Sequence, residues 1–98
     1  MTEQTIRDAV QGASLKTQQK GGISLPLVQR YVDRLQKNEE APPIKVDDGI
    51  IVNGNHRYIA ARIAGKEVAQ RAWAGGSESR VVPWSELKID PNMWPEGD

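Results

Sequence analysis

The chain has 98 residues, 13 basic against 13 acidic side chains, one histidine, no cysteine and no phenylalanine. That length holds one small domain with a single core; the missing cysteine excludes disulfides, thiolate catalysis and cysteine metal sites, and one histidine argues against a zinc site made from protein side chains alone. Balanced charge lacks the basic footprint of a non-specific nucleic-acid binder, no apolar run approaches membrane-spanning length, and Met1 to Thr5 carries no signal-peptide pattern.

Ile6, Ala9, Val10 and Ala13 recur at helical spacing behind Thr5, which predicts a short amphipathic helix from Thr5 to Ala13 with Thr5 as its cap. Residues 14–22 are polar and end in glycine, the pattern of a loop or link. Ser24 and Pro26 then open a second helix, whose buried stripe is Val28, Tyr31, Val32 and Leu35. Arg30, Asp33, Arg34 and Lys37 fall outside that stripe and read as a solvated face, with a phosphate clamp made by Arg30 and Arg34 as the alternative. Glu39 and Glu40 are adjacent carboxylates on a loop, a solubilising pair rather than a catalytic dyad.

The informative stretch runs from Pro43 to Gly65. Ile44 and Val46 alternate with polar neighbours, Asp47-Asp48-Gly49 is a turn, and Ile50-Ile51-Val52 is a β-branched run, which together predict a hairpin. From His56 the period changes: Ile59, Ala60, Ile63 and Ala64 fall at helical spacing, and Gly65 supplies a stop. Asn53-Gly54 alone is also a strong hairpin signal, but the alanine-rich segment behind it lacks strand alternation and favours a strand–loop–helix unit. A glycine loop opening a helix suits an anion such as phosphate, and His56 and Arg57 in the first turn add a titratable imidazole and a cationic fork. Asn53, Gly54, Asn55 and Arg57 are therefore the candidate phosphate-binding residues, and His56 with Arg57 the candidate catalytic pair. Asp47, Asp48 and Asn53 are candidates to hold a magnesium ion with a nucleotide, although turn geometry explains both aspartates; Arg30 and Arg62 are candidate supporting cations.

After Gly65, strands are expected at residues 68–73 and 80–82, separated by Gly75-Gly76-Ser77. A helical turn capped by Ser85 follows, then a proline-rich, irregular end in which Trp94 plugs the core. With no phenylalanine available, the three tryptophans are expected to carry most of the buried aromatic surface.

The sequence from Pro43 through Asn53-Gly54-Asn55-His56-Arg57-Tyr58 to Gly65 resembles the core of the ParB/sulfiredoxin superfamily. In that family a strand ends in a glycine loop with a His-Arg or polar-Arg pair, and the next helix holds nucleotide phosphates. The resemblance implies an α+β fold, a small mixed sheet of about four strands with packed helices, with residues 1–22 as helix and linker before a domain at 23–98. Sulfiredoxins have a cysteine where this chain has Asn55, so their reductase chemistry is excluded. Partition proteins usually show Glu-Arg-Arg after the glycine, and Asn55-His56-Arg57 departs from that. Ile23 to Gln36, the Asn53–Ala60 stretch, Trp73 before Gly75-Gly76 and Val82-Pro83-Trp84-Ser85 are similar to ParB-like C-terminal domains of polymorphic toxins delivered by Rhs-type or contact-dependent systems.

That similarity implies a toxin tip acting in the bacterial cytoplasm on nucleic acid or nucleotides, in the manner of a nuclease or phosphodiesterase, with a cognate immunity protein as partner and no membrane partner. Two other classes stand beside it. One is a phosphotransfer enzyme using ATP or CTP on a small molecule; the other is a binding module that recognises a nucleotide or partner without catalysis.

Overall fold

A computed structural model describes residues 1–97. Its first helix, α1 (Glu3–Ala9), begins and ends earlier than the spacing of apolar residues predicts. Thr2, not Thr5, is the cap: the Thr2 hydroxyl accepts from the Thr5 amide while the Thr5 hydroxyl accepts from the Thr2 amide. This reciprocal box fixes the boundary locally, and Ile6 and Val10 enter the core.

Residues 14–22, expected as loop, contribute strand β1 (Lys16–Thr17), which runs parallel to Ile50 and Ile51. Two residues carry no detectable alternation, so this pairing is a tertiary event that local pattern does not announce. Strand β2 (Ile23–Ser24) leads directly into α2 (Leu25–Gln36), where Ser24 caps as expected by accepting from the Leu27 amide at 3.3 Å. Leu27 joins the predicted stripe of Val28, Tyr31, Val32 and Leu35, all buried.

Strands β3 (Ile44–Asp47) and β4 (Ile50–Asn53) form the predicted antiparallel hairpin, and Asp48 and Gly49 both adopt positive φ in its turn. One residue later the chain is helical: α3 (Asn55–Ala64) follows Gly54 and stops at Gly65, which is left-handed as a C-terminal glycine should be. Strand β5 (Gln70–Ala72) pairs in parallel with β3 inside the span expected for it. The strand expected at residues 80–82 is instead a 3-10 turn over Glu78–Arg80 followed by a single bridge from Val82 to Thr17. The next turn, Trp84–Glu86, is preceded by Pro83 and has no side-chain cap, so Ser85 lies inside it. Strand β6 (Ile89–Asp90) pairs in parallel with β2, and residues 91–97 behind it are irregular, as the proline-rich end predicts.

The result is an α+β fold with a mixed four-stranded sheet in the order β1-β4-β3-β5, a two-stranded β2-β6 ribbon and three α-helices. Helix α3 lies between two clusters of side chains. Ile59, Ala60 and Ala61 pack with α1 and α2, whereas Tyr58 joins Leu15, Ile44 and Ile51 against the sheet. Each fully buried isoleucine or leucine here contributes about 1.5–3 kcal/mol. The tyrosines Tyr31 and Tyr58 are buried more deeply than the tryptophans: Trp84 and Trp94 are partly buried and Trp73 is 48% exposed. Trp84 stacks on Tyr58 and donates its indole N–H to the Leu15 carbonyl at 3.0 Å, which sets it as a cover over the sheet-side cluster.

Candidate functional site

The strand-to-helix junction turns on Gly54, whose φ of +106° lies where side-chain-bearing residues are strained. A Cβ at this position would stand 2.4 Å from Ile44 Cγ2 and 3.1 Å from an Arg57 guanidinium nitrogen. Gly54 is therefore required by the close approach of the chain's own β3 and Arg57. It places the next three residues at the buried start of α3.

Each of those three is engaged. Asn55 is buried and its side-chain oxygen accepts from the Thr17 hydroxyl at 2.8 Å, tying the helix start to β1. His56 is fully buried, and its Nε2 accepts from the Ser24 amide at 2.9 Å. An accepting Nε2 puts the proton of the neutral ring on Nδ1. Proton exchange at Nε2 would break the bond to β2, so acid–base work is costly at that nitrogen. The ring also meets Trp94 edge-on, with centroids 5.4 Å apart.

Arg57 is 6% exposed, and its fork donates to the carbonyls of Pro42 at 2.8 Å and Pro43 at 3.0 Å and to the Asn53 side-chain oxygen at 2.7 Å. Its Nε is buried without a hydrogen-bond partner. These contacts make Arg57 a strut between α3, β4 and the loop that enters β3. They also place its charge on the wall of a surface cleft of about 430 Å³, lined by Tyr31, Pro42, Pro43, Lys45, Asn53, Arg57, Glu96 and Gly97. That volume lies in the range of small-ligand clefts.

Residues 90–97 run along the rim of this cleft. The Ser24 hydroxyl donates to the Asn92 carbonyl at 2.6 Å, and the Asn53 amide donates to the Gly97 carbonyl. Arg30 and Arg34 converge on the Glu96 carboxylate at 3.1 and 2.8 Å. The two α2 arginines, read from the sequence as a solvated face, thus clamp an oxyanion of the chain itself. Hydrogen bonding from Arg34, then from Arg30, lowers the Glu96 pKa. Burial, and next the charge of Glu96, raise that of Tyr31. Asp90 is lowered by the Asn92 amide first and the Trp94 indole second.

A lowered folded-state pKa contributes stability that is present above the ordinary carboxylate pKa and is lost as pH falls through the lowered one. Acidification below the usual carboxylate range is therefore expected to loosen residues 90–97, on which Arg30, Arg34 and Lys88 also act. The change in Trp94 emission with pH should begin at higher pH in Asp90→Asn, whose strap starts without one of its two carboxylate anchors. Identical titrations in the two proteins would contradict this account.

Among the candidate residues, the structure brings Asn53, Gly54, Asn55, His56, Arg57 and Arg30 to one end of the hairpin. Asp47 and Asp48 lie at the other end, in the turn. Asp47 is occupied there, accepting from the amides of Gly75 and Gly76 at 3.1 and 2.9 Å. Asn53 is thus separated from the two aspartates with which it was expected to hold magnesium, because hairpin pairing sets Asn53 opposite Lys45 and Asp47 opposite Ile50. Among the described residues, no three acidic, histidine or cysteine side chains are grouped to share a metal ion. Arg62 is also remote, donating to the Ala9 and Gln11 carbonyls at the end of α1. Lys45, Tyr31 and Glu96 line the cleft without having been singled out; only Lys45, one strand position from the core-facing Ile44, carried a usable signal.

A second cleft of about 400 Å³, between the C-terminal ends of α2 and α3, is lined by Glu39, Glu40 and Glu67 with a single cation, Lys66. Its carboxylates disfavour an anion. Of these two, the cleft beside Arg57 is the one whose charge suits phosphate.

No family model, curated protein or solved structure matches the chain. No helix among the described residues is long and apolar enough to cross a membrane.

Proposed function

We propose that the chain recognises the phosphate groups of a nucleotide or nucleic acid at the Arg57 cleft, where Arg30 and Arg34 hold its Glu96 wall, as a ParB-like tip of a bacterial effector acting in the cytoplasm. The observation that carries this reading is the Glu96 carboxylate gripped by two arginines beside a third, buried arginine. A carboxylate and a phosphate oxygen present the same fork-matching acceptors, so a phosphate can replace Glu96 on the same donors. Recognition without turnover fits the cleft better than hydrolysis does, since His56 is buried and its Nε2 is held by β2.

The test is calorimetric titration of pyrophosphate, ATP and CTP into the intact chain, with nucleotide turnover followed in the same samples. Glu96→Gln removes the internal competitor and is expected to tighten binding several-fold. Arg30→Gln with Arg34→Gln is expected to weaken it by at least tenfold while leaving the melting temperature nearly unchanged, because these ion pairs are solvent-exposed and screened. Absence of binding in both the parent chain and Glu96→Gln would refute the reading. Turnover lost on replacing the arginines would replace recognition with catalysis. Growth arrest of bacteria expressing the chain, relieved by a co-expressed immunity partner, would supply the effector setting.

A further inference from the structure

The sheet has two faces with different fates. Ile44 and Ile51 point to α3, whereas Lys45 points away from the helices. Strand register puts Arg71 of β5 opposite Lys45, so the two share that outward face. Trp73, two residues beyond Arg71, continues the ladder through its amide bond to the Val46 carbonyl at 3.0 Å. The Lys45 ammonium sits 4.2 Å from the Trp73 ring centroid. Toward the hairpin turn the same face is closed by Gly75 and Gly76, which lie against Val52, Asp47 and Ile50. Its other end stays open.

An exposed tryptophan in so small a domain needs a reason, since burying an aromatic is among the largest stabilising contributions available to the core. Trp73 is held out by an edge strand whose three residues are all exposed. Neither Lys45 nor Arg71 makes an ion pair among the described residues, and the Asp47 carboxylate on this face is hydrogen-bonded to the Gly75 and Gly76 amides. Lys45 also lines the cleft that holds Arg57, so the basic side chains Arg57 and Lys45 connect that cleft to the sheet edge.

We propose that this open face is a stacking platform for single-stranded nucleic acid: Trp73 takes an unpaired base, and Lys45 and Arg71 take the flanking phosphates. It rests on the phosphate reading of the adjoining cleft and narrows the ligand from any nucleotide to a strand. Aromatic stacking combined with a basic track is how sequence-tolerant single-strand binders work, and every base offers a π-face to such a ring. Overall neutrality of the chain makes this a local site whose affinity falls with salt.

The experiment is fluorescence anisotropy of a labelled short oligothymidylate with the intact chain, competed by inorganic polyphosphate and by a duplex of matching length. Trp73→Ala, at an exposed position, is expected to weaken oligothymidylate binding roughly tenfold, as loss of one stacked base does, with melting temperature and polyphosphate affinity unchanged. Arg71→Ala is expected to lower the slope of log affinity against log salt by about 0.7, the share of one phosphate contact on a single strand. Oligothymidylate affinity unaltered in Trp73→Ala, with polyphosphate still bound, would overturn the platform and leave the phosphate cleft standing. Failure of polyphosphate and oligothymidylate alike would overturn both. Self-association that Trp73→Ala abolishes, with no change in oligothymidylate affinity, would assign the ring to contact between copies and overturn the proposal.

Discussion

Arg57→Ala is expected to destabilise the fold by about 3 kcal/mol, since each buried acceptor deprived of its donor costs about 1–3 kcal/mol and water can reach part of the proline loop. For a domain of this size that corresponds to a fall in melting temperature of roughly 10–25 °C. Three acceptors lose their partner at once: the Pro42 and Pro43 carbonyls and the Asn53 side chain. Arg57→Lys should fall between, because a single ammonium has neither the planar fork nor the reach to serve all three. Thermal unfolding followed by circular dichroism reads the effect directly. If Arg57 served only to grip an external phosphate, Arg57→Ala would leave the melting temperature in place and remove binding alone, and that result would contradict the strut role.

The same comparison shows what the sequence could and could not announce. The hairpin and α3 were legible because their periods are long enough to read and because Asp48-Gly49 and Gly54 mark the turns. Ser24 and Gly65 were legible for the same local reason: a cap is decided by its own residue and its immediate neighbours. Strands β1 and β6 were not, because two residues held by partners more than thirty positions away leave no periodic trace.

The candidate site shows the same division. Asn53 to Arg57 cluster while Asp47, Asp48 and Arg62 do not, and residue types did not reveal how many of the cluster's hydrogen bonds the fold already uses. His56 illustrates the point: a histidine beside an arginine on a glycine loop reads as chemistry, and only the approach of Ser24 and Trp94 shows the ring built into the core. Asp47 is the converse case, a turn residue whose carboxylate organises the Gly75-Gly76 loop. Neither the exposure of Trp73 nor the ion pairing of the α2 face was open to local pattern, whereas Trp94 packs against the core as expected. Trp73 is outside because β5 is an edge, and Arg30 and Arg34 have a partner because residues 90–97 return to them.

Gly54→Ala is expected to cost about 2–5 kcal/mol, from overpacking of about 1–3 kcal/mol and a left-handed backbone penalty of about 1–2 kcal/mol. The added methyl would meet Ile44 Cγ2 at 2.4 Å and Ile44 Cβ at 2.8 Å, and these atoms belong to a β-branched side chain packed in the sheet-side cluster. Rotation of Ile44 cannot clear both contacts, so β3 or the start of α3 has to move. Arg57 moves with it, because one guanidinium nitrogen lies 3.1 Å from the same position. The variant should therefore lose phosphate binding as well as stability. Gly65→Ala is the control: its φ of +66° carries the backbone penalty alone, and nothing lies within 4 Å of the added carbon. That variant should lose about 1 kcal/mol and keep binding intact. Urea unfolding midpoints of the two variants, measured beside pyrophosphate affinity, separate the contributions. Equal losses at the two glycines would mean that backbone conformation alone sets the requirement at Gly54, and that its packing against Ile44 does not hold the cleft in shape.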